Sequence, residues 1–382
     1  MARTRHDYEK SEPKEAAYPY TDMWKENWNE TKRRFIDWWD RKGLVIGQWG
    51  APEIGHPVHE KVPAPVVPET WDERYCNAAF RAVENHYHLS RSVFPLDVLP
   101  LADGYLGPGS LALFLGSKPG FSQNTVWFHP CMEDEPEPEQ LPPLRFDAGH
   151  PWWRKTEEIL RCCAELARGK YIVGCPDLIE NLDILSSLRG GQTLCMDMVE
   201  RPEWVEQKIR EINDVWFAAY ERIYDIIKLD DGSSAFCAFQ VWGPGKTAKV
   251  QCDMSAMISP EMFRRFVVPS LTAQCEWLDH SVYHLDGTQA MPHLDALLEI
   301  ASLDAIEWTP QAGIEKGGHP RWYDLYRRIL AAGKSLQILD TRPDEIVPLL
   351  DAIGTKGVYI LTSVKDEREA DQLLKRLEGY YR

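Results

Sequence analysis

From residue 151 onward the chain alternates helix and strand with a regularity that few architectures accommodate. Helical periodicity over 151–168 leads to a strand at 170–174. Helices within 181–229 lead to a strand at 235–240, and a helix from Ser259 leads to one at 281–286. A helix near 292–300 precedes a strand at 304–308. Helix 320–332 precedes 336–340, and helix 343–353 precedes 358–362. A last helix carries Ala370, Leu373, Leu374 and Leu377 on one face. Strands that alternate with helices form parallel sheets. With the strands read at 44–49 and 97–101 there are eight strand–helix units, which predicts a closed (β/α)8 TIM barrel. Ser259 ahead of Pro260 and Glu261, and Pro343 in the first turn of its helix, supply helix-start chemistry.

Two regions stand outside this rhythm. Residues 1–23 are polar and charged and read as a mobile N-terminal arm. Trp24, Trp28, Phe35, Trp38 and Trp39 then recur at helical spacing as an N-terminal helical extension. Residues 102–150 carry Gly104, Gly107, Gly109 and Gly120 and an acidic, proline-rich run at 131–139. This segment reads as a hairpin-bearing insertion in a single barrel domain spanning 24–382.

Composition excludes several classes. Lys and Arg total 43 against 59 Asp and Glu, a formal charge of −16, which repels nucleic-acid phosphates. No apolar run of about 18 residues exists, so no membrane span is expected, and the N-terminus lacks a signal-peptide core. Nine cysteines without a repeated pair motif read as reduced thiols of a cytoplasmic protein. GxxxxGK[ST], GxSxG, HExxH and GxGxxG are all absent.

A barrel places its chemistry at the carboxyl ends of its strands. The polar residues there are Gln48, Asp97, Asp177, Gln240, His284, Asp286, Glu307, Asp340 and Thr362. His284 and Asp286 lie two apart on one strand, so both face the barrel mouth, and Gly287 follows. A histidine beside an acid moves protons or binds a metal. Glu307, next to Trp308, is a second acid, and Asp97 a further inward carboxylate. Asp253 and Cys252 lie on the loop read after the fourth strand. Trp49, Trp242 and Trp308 are the aromatic candidates for framing a pocket.

Asp253-x-x-x-x-Ile258-Ser259-Pro260-Glu261-x-Phe263, with Pro269, Tyr283-His284-Leu285-Asp286-Gly287 and Ala305-Ile306-Glu307-Trp308, resembles the uroporphyrinogen decarboxylase superfamily. Leu188-Arg189-Gly190-Gly191 through Arg201-Pro202-Glu203 fits its segment after the third strand. The similarity covers residues 160–382 and, more loosely, 24–101. It implies a (β/α)8 barrel and one of two activities. One is decarboxylation of acetate side chains without a cofactor; the other is methyl transfer with corrinoid-carrying partner proteins.

The decarboxylases hold substrate carboxylates with arginines after the first strand. Gly47 to Glu53 contains none, so uroporphyrinogen itself is not the expected substrate. The zinc-using methyltransferases carry His-x-Cys where this chain has His284-x-Asp286, and a further Cys where it has Leu361-Thr362-Ser363. The resemblance therefore implies zinc, if bound, in a non-standard set of His284, Asp286 and Cys252. His284, Asp286, Glu307 and Asp97 are the catalytic candidates. Trp49, Gln240, Trp242, Asp253, Trp308 and Asp340 are the substrate-binding candidates.

The leading expectation is demethylation of a small donor to a corrinoid protein, by an enzyme whose relatives pair as homodimers. A carboxy-lyase is the first alternative, with Lys246, Arg189 and Arg145 as carboxylate-binding cations and no cofactor. A non-catalytic binding or regulatory barrel is the second.

Overall fold

Residues 44–48 and 247–362 supply the runs that pair as one parallel sheet. Its order is β1 (Leu44–Gln48), β12 (Val358–Thr362), β11 (Ser335–Ile338), β10 (Ala305–Thr309), β9 (His280–Asp286) and β8 (Thr247–Gln251). Most of these residues are buried, as expected for a parallel sheet covered on both faces. The computed structural model describes residues 23–123 and 125–381, so the arm expected over 1–23, apart from Met23, lies outside the described residues.

Shorter pairings continue the sheet beyond β1. Asp97 N–H donates to Ile46 O (2.8 Å). β2 (Leu101–Ala102) pairs in parallel with β5 (Ile172–Val173), and Cys175 bridges in parallel to Phe236 of β6 (Ser234–Phe236). Between β6 and β8 the contact passes through one side chain: the Ser234 hydroxyl donates to Gly245 O (2.7 Å) and accepts from Thr247 N–H (3.2 Å). The backbone ladders among the described residues therefore do not close into one ring. The fold is a mixed α/β structure with a mainly parallel sheet.

One expected strand differs. The stretch 235–240 is broken after Phe236 by a 3-10 turn (Ala238–Gln240). The chain then returns antiparallel along β6 as β7 (Val241–Gly243) before β8 begins. The cause is local: Phe239 and Gln240 both take positive φ (62° and 53°), a conformation no strand contains. The insertion does carry a hairpin, β3 (Lys118–Phe121) against β4 (Val126–His129). Ser259 caps its helix, accepting from Met262 N–H (3.2 Å).

Strand parity divides the core in two. Tyr283, Leu285, Ile306, Trp308 and Ile360 face outward into the layer shared with the helices. Val45, Val282, Ala305 and Tyr359 face the other way, and with them pack Trp28, Phe35, Trp38 and Trp39 of the first helix, Trp28–Trp39. This helix docks at the amino ends of the strands. Ser335 donates to Trp38 O (2.6 Å), the Trp38 indole donates to Leu336 O (3.2 Å), and Trp39 stacks on His280 at 4.6 Å. One end of the sheet is thereby plugged with aromatic rings, which leaves the carboxyl ends as the accessible side. Trp38→Ala should cost ~3–5 kcal/mol in a urea unfolding titration, the usual cost of emptying a buried aromatic site.

Candidate functional site

Parallel register sets Gln251, His284, Glu307, Gln337 and Tyr359 side by side across five strands, all on the inward face. His284 Nδ1 lies 2.5 Å from Glu307 Oε2, and the Thr309 hydroxyl donates to Glu307 Oε1 (2.7 Å). Glu307 is fully buried, and the His284 side chain is 13% exposed. Burial pushes the Glu307 carboxyl up, against the pull of His284. Burial also disfavours the imidazolium, but the Glu307 carboxylate outweighs it, and His284 is held above an ordinary imidazole. Both shifts act toward keeping a proton within the pair. The Phe239 ring covers His284 at a centroid distance of 4.8 Å.

Further toward the carboxyl ends stand two acids, Asp286 at the end of β9 and Asp253 just after β8. One ligand atom from each of Asp253, His284 and Asp286 can be chosen such that all lie within 4.8 Å of one another. Asp253 is positioned from behind by buried Asp183, whose carboxylate accepts from Asp253 N–H (2.8 Å), Met254 N–H (2.9 Å) and the Gln251 amide (3.2 Å). Burial and the Asp253 charge push Asp183 up to about 6. Beneath lies Lys249, fully buried, its ammonium 2.8 Å from Asp177 Oδ1 and bonded also to Gln251 Oε1. Glu180 accepts from Gln251 N–H, and burial raises its carboxyl strongly.

The trio offers one imidazole nitrogen and two carboxylate oxygens, a donor set suited to a borderline or hard divalent cation. Because Glu307 holds Nδ1, Nε2 is the ring atom left to ligate. A carboxylate on the far ring nitrogen is the usual outer support of a metal-bound histidine. Cys252 does not join this set. Its side chain is 2% exposed and packs in the outer core, where burial raises the thiol well above its ordinary range.

Other expectations are corrected by the packing. Asp97 is fully buried between Arg34 Nη1 (3.1 Å), Thr31 Oγ1 (3.3 Å), Ile46 N–H (3.0 Å) and the Tyr381 hydroxyl (3.3 Å). It clamps the first helix and the C-terminal residues to β1 and is not part of the His284 cluster. Trp308 is fully buried against Trp322 on the outward face, and Trp242 packs on Trp28 and Phe35 in the plugged end, so neither frames a pocket. Asp340 is exposed and paired with Lys316 (2.6 Å). Trp49, 54% exposed, and Gln240 do line one cavity beside the cluster.

Lys249, Glu180, Asp183 and Phe239 are the members the sequence reading does not single out. The alternation Thr247-Ala248-Lys249-Val250-Gln251 is a strand signal that would have exposed Lys249 as inward-facing.

No family model and no curated protein matches this sequence. Among solved structures, the chain is similar to a methyltransferase from Methanosarcina mazei, with a TM-score of 0.58 at 12% identity. The match covers 92% of this chain and 99% of that one. At this identity the likeness concerns the fold.

Two outcomes follow from the geometry. Cobalt(II) added to the purified protein should give a tetrahedral or five-coordinate visible spectrum that saturates near one equivalent. His284→Ala with Asp286→Ala should abolish it. Asp97→Asn should lower unfolding free energy by ~3 kcal/mol in chemical denaturation, since Arg34 loses its buried partner, and leave the cobalt spectrum intact.

Proposed function

We propose that the chain is a (β/α)8-barrel enzyme of the uroporphyrinogen decarboxylase superfamily type that transfers a methyl group from a small donor to a corrinoid protein. The observation that carries this reading is the in-register His284–Glu307 pair with Asp286 and Asp253 at the carboxyl ends of the strands. The continuation of strand pairing through residues 97–102, β5 and β6 supports the barrel. The methyltransferase neighbour, alike over nearly the whole of both chains, supports the fold this reading needs.

Demethylation requires that the heteroatom losing the methyl group become a better leaving group. Asp253, His284 and Asp286 would hold a divalent ion, which supplies Lewis-acid polarisation of that heteroatom when bound. The chain's own groups do the rest. Glu307 pairs with His284 Nδ1 and so orients the ring, leaving Nε2 for the ion. Asp183 fixes the Asp253 backbone, and Phe239 shields His284 from water. Corrinoid approaches on a partner protein, so the accessible carboxyl side is where the acceptor docks.

The carboxy-lyase alternative is less favoured. Lys246 is paired with Glu221 (2.6 Å) and lies over the Trp277 ring at 4.0 Å. Arg189 is buried on Asp197 (2.7 Å) and bonds the carbonyls of Met132 and Glu135. Neither is available to hold a substrate carboxylate.

The test is methyl transfer to a reduced corrinoid protein from a panel of small methyl donors, followed by cobalt absorbance. The double variant His284→Gln, Asp286→Asn should lose activity by about 10³-fold or more, with a melting temperature close to the parent's. Undiminished transfer in that variant overturns the assignment.

A further inference from the structure

The cavity beside His284 has a chemical character of its own. Its volume is ≈ 250 Å³, below the ~300–1,000 Å³ typical of drug-sized ligands, so it suits a small molecule. Trp49 and Tyr105 supply aromatic rings, Leu99 and Leu101 apolar wall, and Gln240 an amide. The Phe239 ring links this cavity's wall to the catalytic candidates, meeting Trp49 at 5.3 Å and His284 at 4.8 Å. Asp103 is the sole charged residue among the described residues that line it.

Asp103 is suited to meet a ligand. Its side chain is 43% exposed. Tyr105 N–H donates to Oδ1 (2.9 Å), and the Arg81 guanidinium stands 3.7 Å from the same oxygen. Both contacts fall on Oδ1, leaving Oδ2 available. The backbone of Asp103 is anchored independently: its N–H donates to Asn85 Oδ1 (3.1 Å), and its carbonyl accepts from Asn85 (2.7 Å) and Arg81 (3.2 Å). The carboxylate is therefore not needed to hold the loop. Trp49 packs edge-on against Phe239 and leaves the rest of its ring exposed. Its exposed indole face lines the cavity together with Asp103, the one charged residue among the described lining residues.

We infer that this cavity binds a small quaternary ammonium cation, whose methyl groups lie against Trp49 and Tyr105 while Asp103 balances the charge. Aromatic faces attract such cations through their quadrupole, and a quaternary nitrogen offers no N–H, so it needs no buried acceptor beyond the counter-charge. The −16 formal charge of the chain and the acids Asp253 and Asp286 at the mouth draw the same species.

The inference rests on the methyl-transfer reading, for which it names the donor class. A methyl carbon passes to the acceptor, and the electron pair of the broken carbon–nitrogen bond stays on nitrogen, which leaves as a neutral tertiary amine; the quaternary nitrogen has no lone pair, so this donor calls on neither a Lewis acid nor a proton for the bond to break.

Calorimetric titration of the full chain with choline chloride tests it, with dimethylbutanol, in which carbon replaces nitrogen, as the uncharged twin. Choline should bind saturably and dimethylbutanol at least about tenfold more weakly. Trp49→Ala and Asp103→Asn should each weaken choline roughly tenfold, and Trp49→Phe should retain most of the affinity. Equal binding of the twin, no saturable choline binding, or unchanged affinity in both weakened variants overturns the inference. Should Asp103→Asn fail to fold, Trp49→Ala against Trp49→Phe decides alone. Choline that binds as expected while no donor of the panel methylates corrinoid leaves the cation site standing and defeats the methyl-transfer reading.

Discussion

Everything at this site depends on one hydrogen bond, His284 Nδ1 to Glu307 Oε2, and that bond is a product of parallel register. His284 and Glu307 are direct partners across β9 and β10, so their side chains leave the sheet on one face and at one height. A one-residue slip would send both into the helix layer, where Tyr283 and Trp308 now pack. An ionised carboxylate alone in this fully buried position would cost several kcal/mol. The imidazole and the Thr309 hydroxyl make the position tolerable, and the Glu307 carboxylate in turn holds His284 above an ordinary imidazole.

The same inward row holds the neighbouring turn. Phe239 and Gln240 sit at positive φ, at ~1–2 kcal/mol each for residues with a Cβ. Two inward side chains grip that turn from below: the Gln337 amide donates to Phe239 O (2.6 Å), and the Tyr359 hydroxyl donates to Gln240 O (2.7 Å). Their combined bonds offset the strain and lay the Phe239 ring on His284. Ile179, Asn181 and Asp340 take the same backbone region, also just beyond strand carboxyl ends. Arg41 and Leu96 take it ahead of β1 and β2, so five of the seven such described residues with a Cβ lie on the carboxyl side of the strands.

Much of this was legible in the sequence. The alternation of strands and helices gave the α/β class, and the period of two put His284 and Asp286 on one face. The same rule, carried one residue further, sends Trp308 to the opposite side of β10 from Glu307, so its outward position was also readable. Asp97 was less so. Its partners Thr31, Arg34 and Tyr381 come from the first helix and the far C-terminal residues, and such long-range closure leaves no local signature. The break at 237–240 was hidden for a related reason. Phe239 and Gln240 have no intrinsic preference for positive φ; Gln337 and Tyr359, about a hundred residues on, impose it.

Charge balance at the mouth explains why the network extends beyond its first layer. Asp177, Glu180, Asp183, Asp253, Asp286 and Glu307 gather around Lys249 and His284, so acidic groups outnumber basic ones. Such an excess survives folding only if some carboxyls stay protonated or a cation enters, because like charges in a low-dielectric region repel strongly. Burial displaces Glu180 and Asp183 upward, in the direction of the first route. Asp253 and Asp286, at the solvent side of the cluster, leave the second open. Lys249 cannot serve as that cation for an incoming ligand, since Asp177 and Gln251 already occupy its ammonium. What remains toward solvent is the pair of acids Asp253 and Asp286 beside His284, an arrangement whose electrostatics favour positive charge arriving from outside.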